Sequence, residues 1–245
     1  FIWPQGILPD ISQEELKEYN SLFEENFNVN HLFIIGTNNE DSKDGSINYF
    51  NSLTIYDNEL NILDYYNKIN LVPFGEFLPF ENIFKKIGFK TLTNNYQSFS
   101  KGKKREIIKI KNQNFTLKIL PLICYEIIYS GKLSKNSNYD FIINISEDGW
   151  FGKSIGPRQH FDHSIFRAIE SGKYILRSSN NGIAGIINPI GVVEQNVDFG
   201  ESGYVDLVEM KKMQPTIFSY YGNKIFGFLS LLYILLILSF NRIKK

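Results

Sequence analysis

Sixteen consecutive residues near the carboxyl end, Ile225–Phe240 (IFGFLSLLYILLILSF), carry no charge, and no face of a helix drawn through them is polar. A helix that is apolar on every side must be buried or meet lipid. At ~1.5 Å per residue the run spans ~24 Å, short of a ~30 Å hydrocarbon core. A transmembrane helix here therefore has to borrow Ile217, Phe218 and the tyrosines before Lys224. The division expected is one folded domain over residues 1–214 and a transmembrane helix with a basic tail over residues 215–245. Lys211, Lys212 and Lys224 precede the run while Arg242, Lys244 and Lys245 follow it, so the positive-inside rule gives no orientation.

The rest of the chain reads as α/β. Ser12-Gln-Glu-Glu15 is a capping box, and apolar residues at helical spacing predict a helix over about 12–26. Strands are predicted at His31–Gly36, Leu53–Tyr56, Leu117–Cys124, Phe141–Ser146, Tyr174–Ser178, Ile183–Asn188 and Gly203–Val208, with a polar turn around Asp41–Gly45 and a helix over Arg158–Ser171. Helices among such strands suggest a layered sandwich. With 26 basic and 26 acidic residues, the overall charge offers nothing to a nucleic acid. Lys101–Arg105 reads as a solvated basic loop. The chain begins at Phe1, not at Met, with Phe1-Ile-Trp3 resembling the middle or end of a strand. The expectation is a piece of a longer protein.

The single cysteine, Cys124, closes the buried-strand pattern of PLICYEII. Free cysteine is often only a small buried hydrophobe. At the carboxyl end of a strand, where open α/β sheets gather their chemistry, it is also a candidate nucleophile. One cysteine and three histidines make a structural zinc site a poor reading. Lys68 and Glu76 flank a Pro-Phe-Gly bend in NKINLVPFGEFLP, and a nearby lysine would favour a thiolate and an oxyanion.

Taken in order, WPQG, NKINLVPFGEFLP, PLICYEI, NISEDGWFGKSIGPRQH, RAIESGKYILRSSNNGIAGIINPIG and the final apolar run resemble the nitrilase-type domain of the bacterial apolipoprotein N-acyltransferases. The resemblance implies an αββα four-layer sandwich on the outer face of the cytoplasmic (inner) membrane, followed by a transmembrane helix whose end faces the cytoplasm. It implies transfer of an acyl chain from a phospholipid to the N-terminal diacylglyceryl-cysteine of an apolipoprotein through a thioester on Cys124, with no cofactor or metal. Lys68 and the Tyr125 N–H would hold the oxyanion, and Glu76 and Glu126 would support the site. Trp150 and Phe151 would border the substrate entrance, against the alternative of a core aromatic pair. His160 and His163 have no implied role and read as structural or surface residues. One position departs from the pattern: Gln5 stands where the family has its general-base glutamate. An amide cannot take up and release a proton at neutral pH. A nitrilase-like amidase and a catalytically silent lipoprotein-binding relative are the competing readings.

Overall fold

A computed structural model describes residues 1–8, 11–13, 15–43, 46–80, 98–111, 116–131, 133, 138–211 and 213–243. The Ser12 capping box forms as the sequence predicts: Ser12 N–H donates to Glu15 Oε2 at 2.7 Å, and Glu15 N–H donates back to Ser12 Oγ at 3.3 Å. The helix opens as a 3₁₀ turn, Glu15–Tyr19, and continues as α1, Asn20–Asn26.

Strands β1 (Phe33–Lys43), β2 (Ser46–Tyr56) and β3 (Ile62–Asn67) form an antiparallel sheet. Along the free edge of β1, Ile2 makes a parallel bridge to Ile34, so the amino-terminal residues do run beside a strand. A second sheet takes the order β4 (Ile108–Lys111), β5 (Thr116–Ile123), β6 (Phe141–Glu147), β7 (Tyr174–Asn180), β8 (Ala184–Ile187) and β9 (Val193–Val197). Its centre, β5-β6-β7, is parallel. Helix α2, Gly156–Ser171, forms the crossover from β6 to β7.

Side-chain alternation assembles these elements into four layers. In β1, Ile34 joins a core with Leu53, Ile55, Ile119, Ile143 and Ile145, drawn from both sheets. Its neighbours Phe33 and Ile35 point the other way, into a cluster with Leu16 and Phe23 beside α1. In β6, Phe141 and Ile143 face the inter-sheet core while Ile142 packs with Phe161 and Ala168 of α2. This two-residue period, with both faces apolar, is what a sheet buried on both sides requires. The layers are therefore α1, the three-stranded sheet, the six-stranded sheet and α2, the αββα order expected.

Several local expectations need correction. β1 continues through Asp41–Lys43, where a polar turn was predicted, because β2 pairs with it over the full length; residues 44 and 45 lie outside the described residues. β4 escapes the pattern because its exposed alternate positions, Lys109 and Lys111, leave a short half-polar run, and β3 and β9 escape it because most of their residues are exposed. Gly203–Val208 is not a strand. Instead, the Gln195 side chain donates to Asp206 O at 2.9 Å and accepts from Asp206 N–H at 3.1 Å, replacing a strand neighbour, while Val205 and Leu207 still pack on the inter-sheet core.

The carboxyl end also differs from expectation. Helix α3, Ile217–Tyr221, ends at Gly222 (φ 53°), and helix α4, Lys224–Ile243, starts afresh. The apolar run therefore cannot lengthen itself with Ile217, Phe218 and the tyrosines. Among the described residues no helix is long and apolar enough to cross a membrane. The bend is held by packing, since a Cβ at Gly222 would lie 2.6 Å from the Gly131 carbonyl oxygen.

Candidate active site

Cys124 lies just past β5, at the first position of a 3₁₀ helix, Cys124–Ile128, and has φ +49°. For a residue with a side chain this left-handed conformation is costly, and it is held only where the surroundings over-determine it. Here they do. Tethering the turn, Glu126 is fully buried and its Oε2 accepts from Ile123 N–H at 3.0 Å. Its Oε1 takes Tyr66 Oη at 2.8 Å, the N–H groups of Ile69 and Asn70 at 3.1 Å each, and Arg105 Nη2 at 2.7 Å. The residue expected to support the site thus joins the nucleophile turn to the segment just after β3. Arg105 corrects the reading of Lys101–Arg105 as a solvated loop: its side chain is only 5% exposed, while Lys104 of the same run is 74% exposed.

Lys68 follows β3 and is 1% exposed. Its Nζ donates to Glu76 Oε1 at 2.8 Å, and Glu76 is itself held by Asn51 Nδ2 at 2.7 Å and Val72 N–H at 2.9 Å. Burial works against the ammonium charge, but the Cys124 thiolate and the carboxylates of Glu76 and Glu126 outweigh it and hold the Lys68 pKa above its ordinary value. The electrostatic coupling of Lys68 to Cys124 is what a lysine-assisted thiol needs. The approach is tight, since a Cβ at Gly102 would overlap the Asn67 carbonyl oxygen one residue before Lys68.

Gln5 reaches the same end of the sheets through the loop after β6. Its backbone packs on Gly36 of β1, where a Cβ would lie 2.6 Å from the Gln5 Cα. At its neighbour Gly6, a Cβ would lie 3.2 Å from Glu147 Oε2, and the Glu147 carbonyl oxygen stands 3.9 Å from Cys124 Sγ. Among the described residues the buried Gln5 Oε1 has no hydrogen-bond partner.

Two aromatic expectations resolve differently. Trp150, at 71% exposed, is no core residue, and Phe151 is 40% exposed with its ring 5.6 Å from the His160 ring. His160 itself is not a surface residue. It is buried, with Nδ1 2.8 Å from Asp148 Oδ1 and Nε2 3.2 Å from the Cys124 carbonyl oxygen. Arg177 Nη2 reaches Asp148 Oδ2 at 2.7 Å, and Ser146 Oγ reaches Oδ1 at 2.7 Å. Burial opposes the Asp148 charge, but the His160 hydrogen bond and the Arg177 guanidinium override it and lower its pKa to about 2. Donor atoms of Cys124, Asp148 and His160 lie within 4.8 Å of one another, but the imidazole and carboxylate are already turned to these hydrogen bonds. Asp148 and Arg177 were missed by sequence reading. The signal available was a charged residue in the middle of the apolar strand Tyr174–Asn180, which demands a buried counter-charge.

An αββα sandwich with a cysteine and a buried lysine–glutamate pair at one end has the architecture of the nitrilase type. The comparisons agree: residues 10–211 match the carbon-nitrogen hydrolase family model, and the chain belongs to that family. It is 38% identical over 242 residues to the apolipoprotein N-acyltransferase of Rickettsia prowazekii, covering 96% of this chain and 47% of that protein. With the apolipoprotein N-acyltransferase of Bradyrhizobium diazoefficiens it shares 37% identity over 175 residues, 71% of this chain and 32% of the relative. The chain thus spans about half or less of the length of these relatives. Among solved structures, Nit3 of Saccharomyces cerevisiae, from branch 10 of the nitrilase superfamily, superimposes with a TM-score of 0.53 at 15% identity, over 82% of this chain and 73% of that one. An amidase from Nesterenkonia sp. AN1, a glutamate-to-glutamine variant with a covalent acetamide moiety on its active-site cysteine, gives 0.52 at 12% identity, over 80% and 72%. Both likenesses show the fold.

Proposed function

We propose that this chain is the catalytic domain of an apolipoprotein N-acyltransferase, with Cys124 as acyl carrier. The observation that carries the reading is the left-handed Cys124 at the end of β5, electrostatically coupled to the buried Lys68–Glu76 pair. It is joined to a sequence whose relatives over most of the chain are named for that activity.

In the first half-reaction the Cys124 thiolate attacks the ester carbonyl carbon of a phospholipid, and a C–S bond forms. Lys68 and the Tyr125 N–H bear the oxyanion charge. Collapse breaks the C–O bond, and the lysophospholipid alkoxide takes a proton from water as it leaves. In the second, the α-amino group of a diacylglyceryl-cysteine attacks the thioester, loses a proton and expels the thiolate. Both steps need a proton acceptor and donor. Gln5 cannot serve, so turnover in this chain is slow relative to a glutamate counterpart. Trp150 and Phe151, exposed on the loop beside Cys124, border the substrate entrance. Helix α4, with Phe226, Leu229, Ile234 and Phe240 exposed, meets lipid, and the extracytoplasmic side of the inner membrane is the side that the family resemblance implies for the domain.

The test is to incubate the intact protein with acyl-labelled phospholipid and follow hydroxylamine-labile label on the protein. Label should vanish with Cys124→Ser. Its persistence at the parent level would reject the assignment. Label that passes to water as the free acid and never to a lipopeptide amine, with ammonia released from simple amides, would favour an amidase.

A further inference from the structure

The buried His160 is unused by the chemistry above, yet its Nε2 lies 3.2 Å from the main-chain oxygen of the nucleophile itself. A carbonyl oxygen can only accept, so this contact calls for a hydrogen on Nε2, and the Asp148 carboxylate calls for one on Nδ1. We propose that His160 is a positioning residue that aims the oxyanion-binding N–H of Tyr125, acting through the single peptide plane between Cys124 and Tyr125. This deepens the proposed function and rests on its assignment of the Tyr125 N–H.

The argument is geometric. The Cys124 carbonyl and the Tyr125 N–H belong to one trans peptide, so they are coplanar and point in opposite directions. Fixing the oxygen fixes the hydrogen. Tyr125 is the second residue of the 3₁₀ helix Cys124–Ile128, where an N–H has no partner within the helix and is available to a substrate. Left to itself, a left-handed cysteine could relieve its strain by rotating that peptide plane. Glu126 holds the turn through Ile123 N–H on one side of this peptide, and His160 holds it from α2 on the other. The imidazole is in turn clamped: Nδ1 is paired to Asp148, Asp148 is paired to Arg177, and Arg177 Nε donates to Ile183 O at 3.1 Å, with a further bond from Nη1 to Asn144 Oδ1. This whole chain is buried, so it offers the rigid second layer that a preorganised oxyanion donor needs.

The prediction separates two reactions of one thiol. Acylation by a p-nitrophenyl ester builds an oxyanion and has a leaving group that needs no proton, whereas alkylation by iodoacetamide builds no oxyanion. In the intact protein, H160N keeps an amide near Asp148 but falls short of the Cys124 carbonyl, while H160Q places its amide nitrogen close to the position of Nε2. We expect H160N to slow single-turnover acylation of Cys124 by roughly 10²- to 10³-fold, the usual loss for one oxyanion donor. Alkylation should change by less than about threefold, and H160Q should recover acylation to within about tenfold of the parent. Parallel loss of both reactions, parent-like acylation by H160N, or no recovery in H160Q would each overturn the proposal. If melting shows H160N unfolded, His160→Phe, which keeps a ring against Phe151 and removes the donor, carries the same expectation. If that too is unfolded, the H160Q recovery alone decides. A parent protein that alkylates at Cys124 but is never acylated there would instead refute the functional reading.

Discussion

Replacing Glu126 by glutamine should destabilise the domain far more than one atom's change suggests. Four donors converge on Oε1 and one on Oε2. The amide will therefore keep its oxygen toward Tyr66, Ile69, Asn70 and Arg105, and turn its NH₂ toward Ile123 N–H. Donor then faces donor, which costs about 1 kcal/mol or more. The larger loss is electrostatic: Arg105, with a side chain 5% exposed, is left charged without its counter-ion, and breaking one half of a buried pair costs about 3–5 kcal/mol. A total of ~4–6 kcal/mol corresponds to a fall in Tm of roughly 10–20 °C for a domain of this size. The assay is thermal unfolding of the intact protein followed by circular dichroism, for E126Q, R105M and the double variant. Because each single variant strands the residue that the other one removes, the double should be less destabilised than their sum by ~2 kcal/mol or more. A Tm within about 3 °C of the parent for E126Q, or strict additivity, would refute the account of Glu126 as the tie that holds the nucleophile turn.

Gln5→Glu should raise acyl transfer by roughly 10²- to 10⁴-fold, equivalent to ~3–5 kcal/mol of barrier, with little change in lipid binding; equal steady-state rates for the two proteins would place the base elsewhere. Gly102→Ala should shift the strand end carrying Lys68, because its methyl would overlap the Asn67 carbonyl oxygen, and the check is a loss of thioester formation together with a Tm several degrees lower. Asp148 has a folded pKa depressed to about 2, so its contribution is present above the unfolded value near 4 and disappears as pH falls from there toward 2. Asp148→Asn should therefore lower stability by about 2 kcal/mol at neutral pH and flatten the acid limb of a urea-midpoint profile, an unchanged limb counting against it.

The layered architecture was legible because the central strands are buried on both faces. Runs such as Phe141–Ser146 and Leu117–Cys124 announce themselves whatever surrounds them. Edge strands do not: Ile108–Lys111 alternates with lysines and reads as loop. Cys124 and the Lys68–Glu76 pair were singled out by a resemblance, and what the structure adds is the burial of Lys68 and its ion pair with Glu76. The supporting layer was not. Arg105 looks like one more member of a basic run, and His160 like one more polar residue on a helix, until the fold brings Glu126 to the first and Cys124 to the second. Charge on a one-dimensional string has no partner, and burial supplies one only in three dimensions. The carboxyl end failed for the opposite reason: apolarity was read as continuity, and a single glycine between two helices cancels that inference.

That glycine has a mechanical meaning. Only glycine fits at position 222, because a Cβ there would meet the Gly131 carbonyl, and Gly131 belongs to the loop that follows the 3₁₀ helix begun by Cys124. Glu170 of α2 grips the same loop through Gly131 N–H at 2.6 Å, and its carbonyl receives the Thr216 hydroxyl that caps α3. The tail is thus braced against the neighbourhood of the thiol and not joined to it by a continuous rod. Under the proposed membrane setting, the depth at which Cys124 stands above the bilayer is gauged at these contacts of Gly131 and Glu170 with the tail. A side chain introduced there would tilt the tail and change the height at which a lipid ester meets sulfur, while leaving every catalytic group in place.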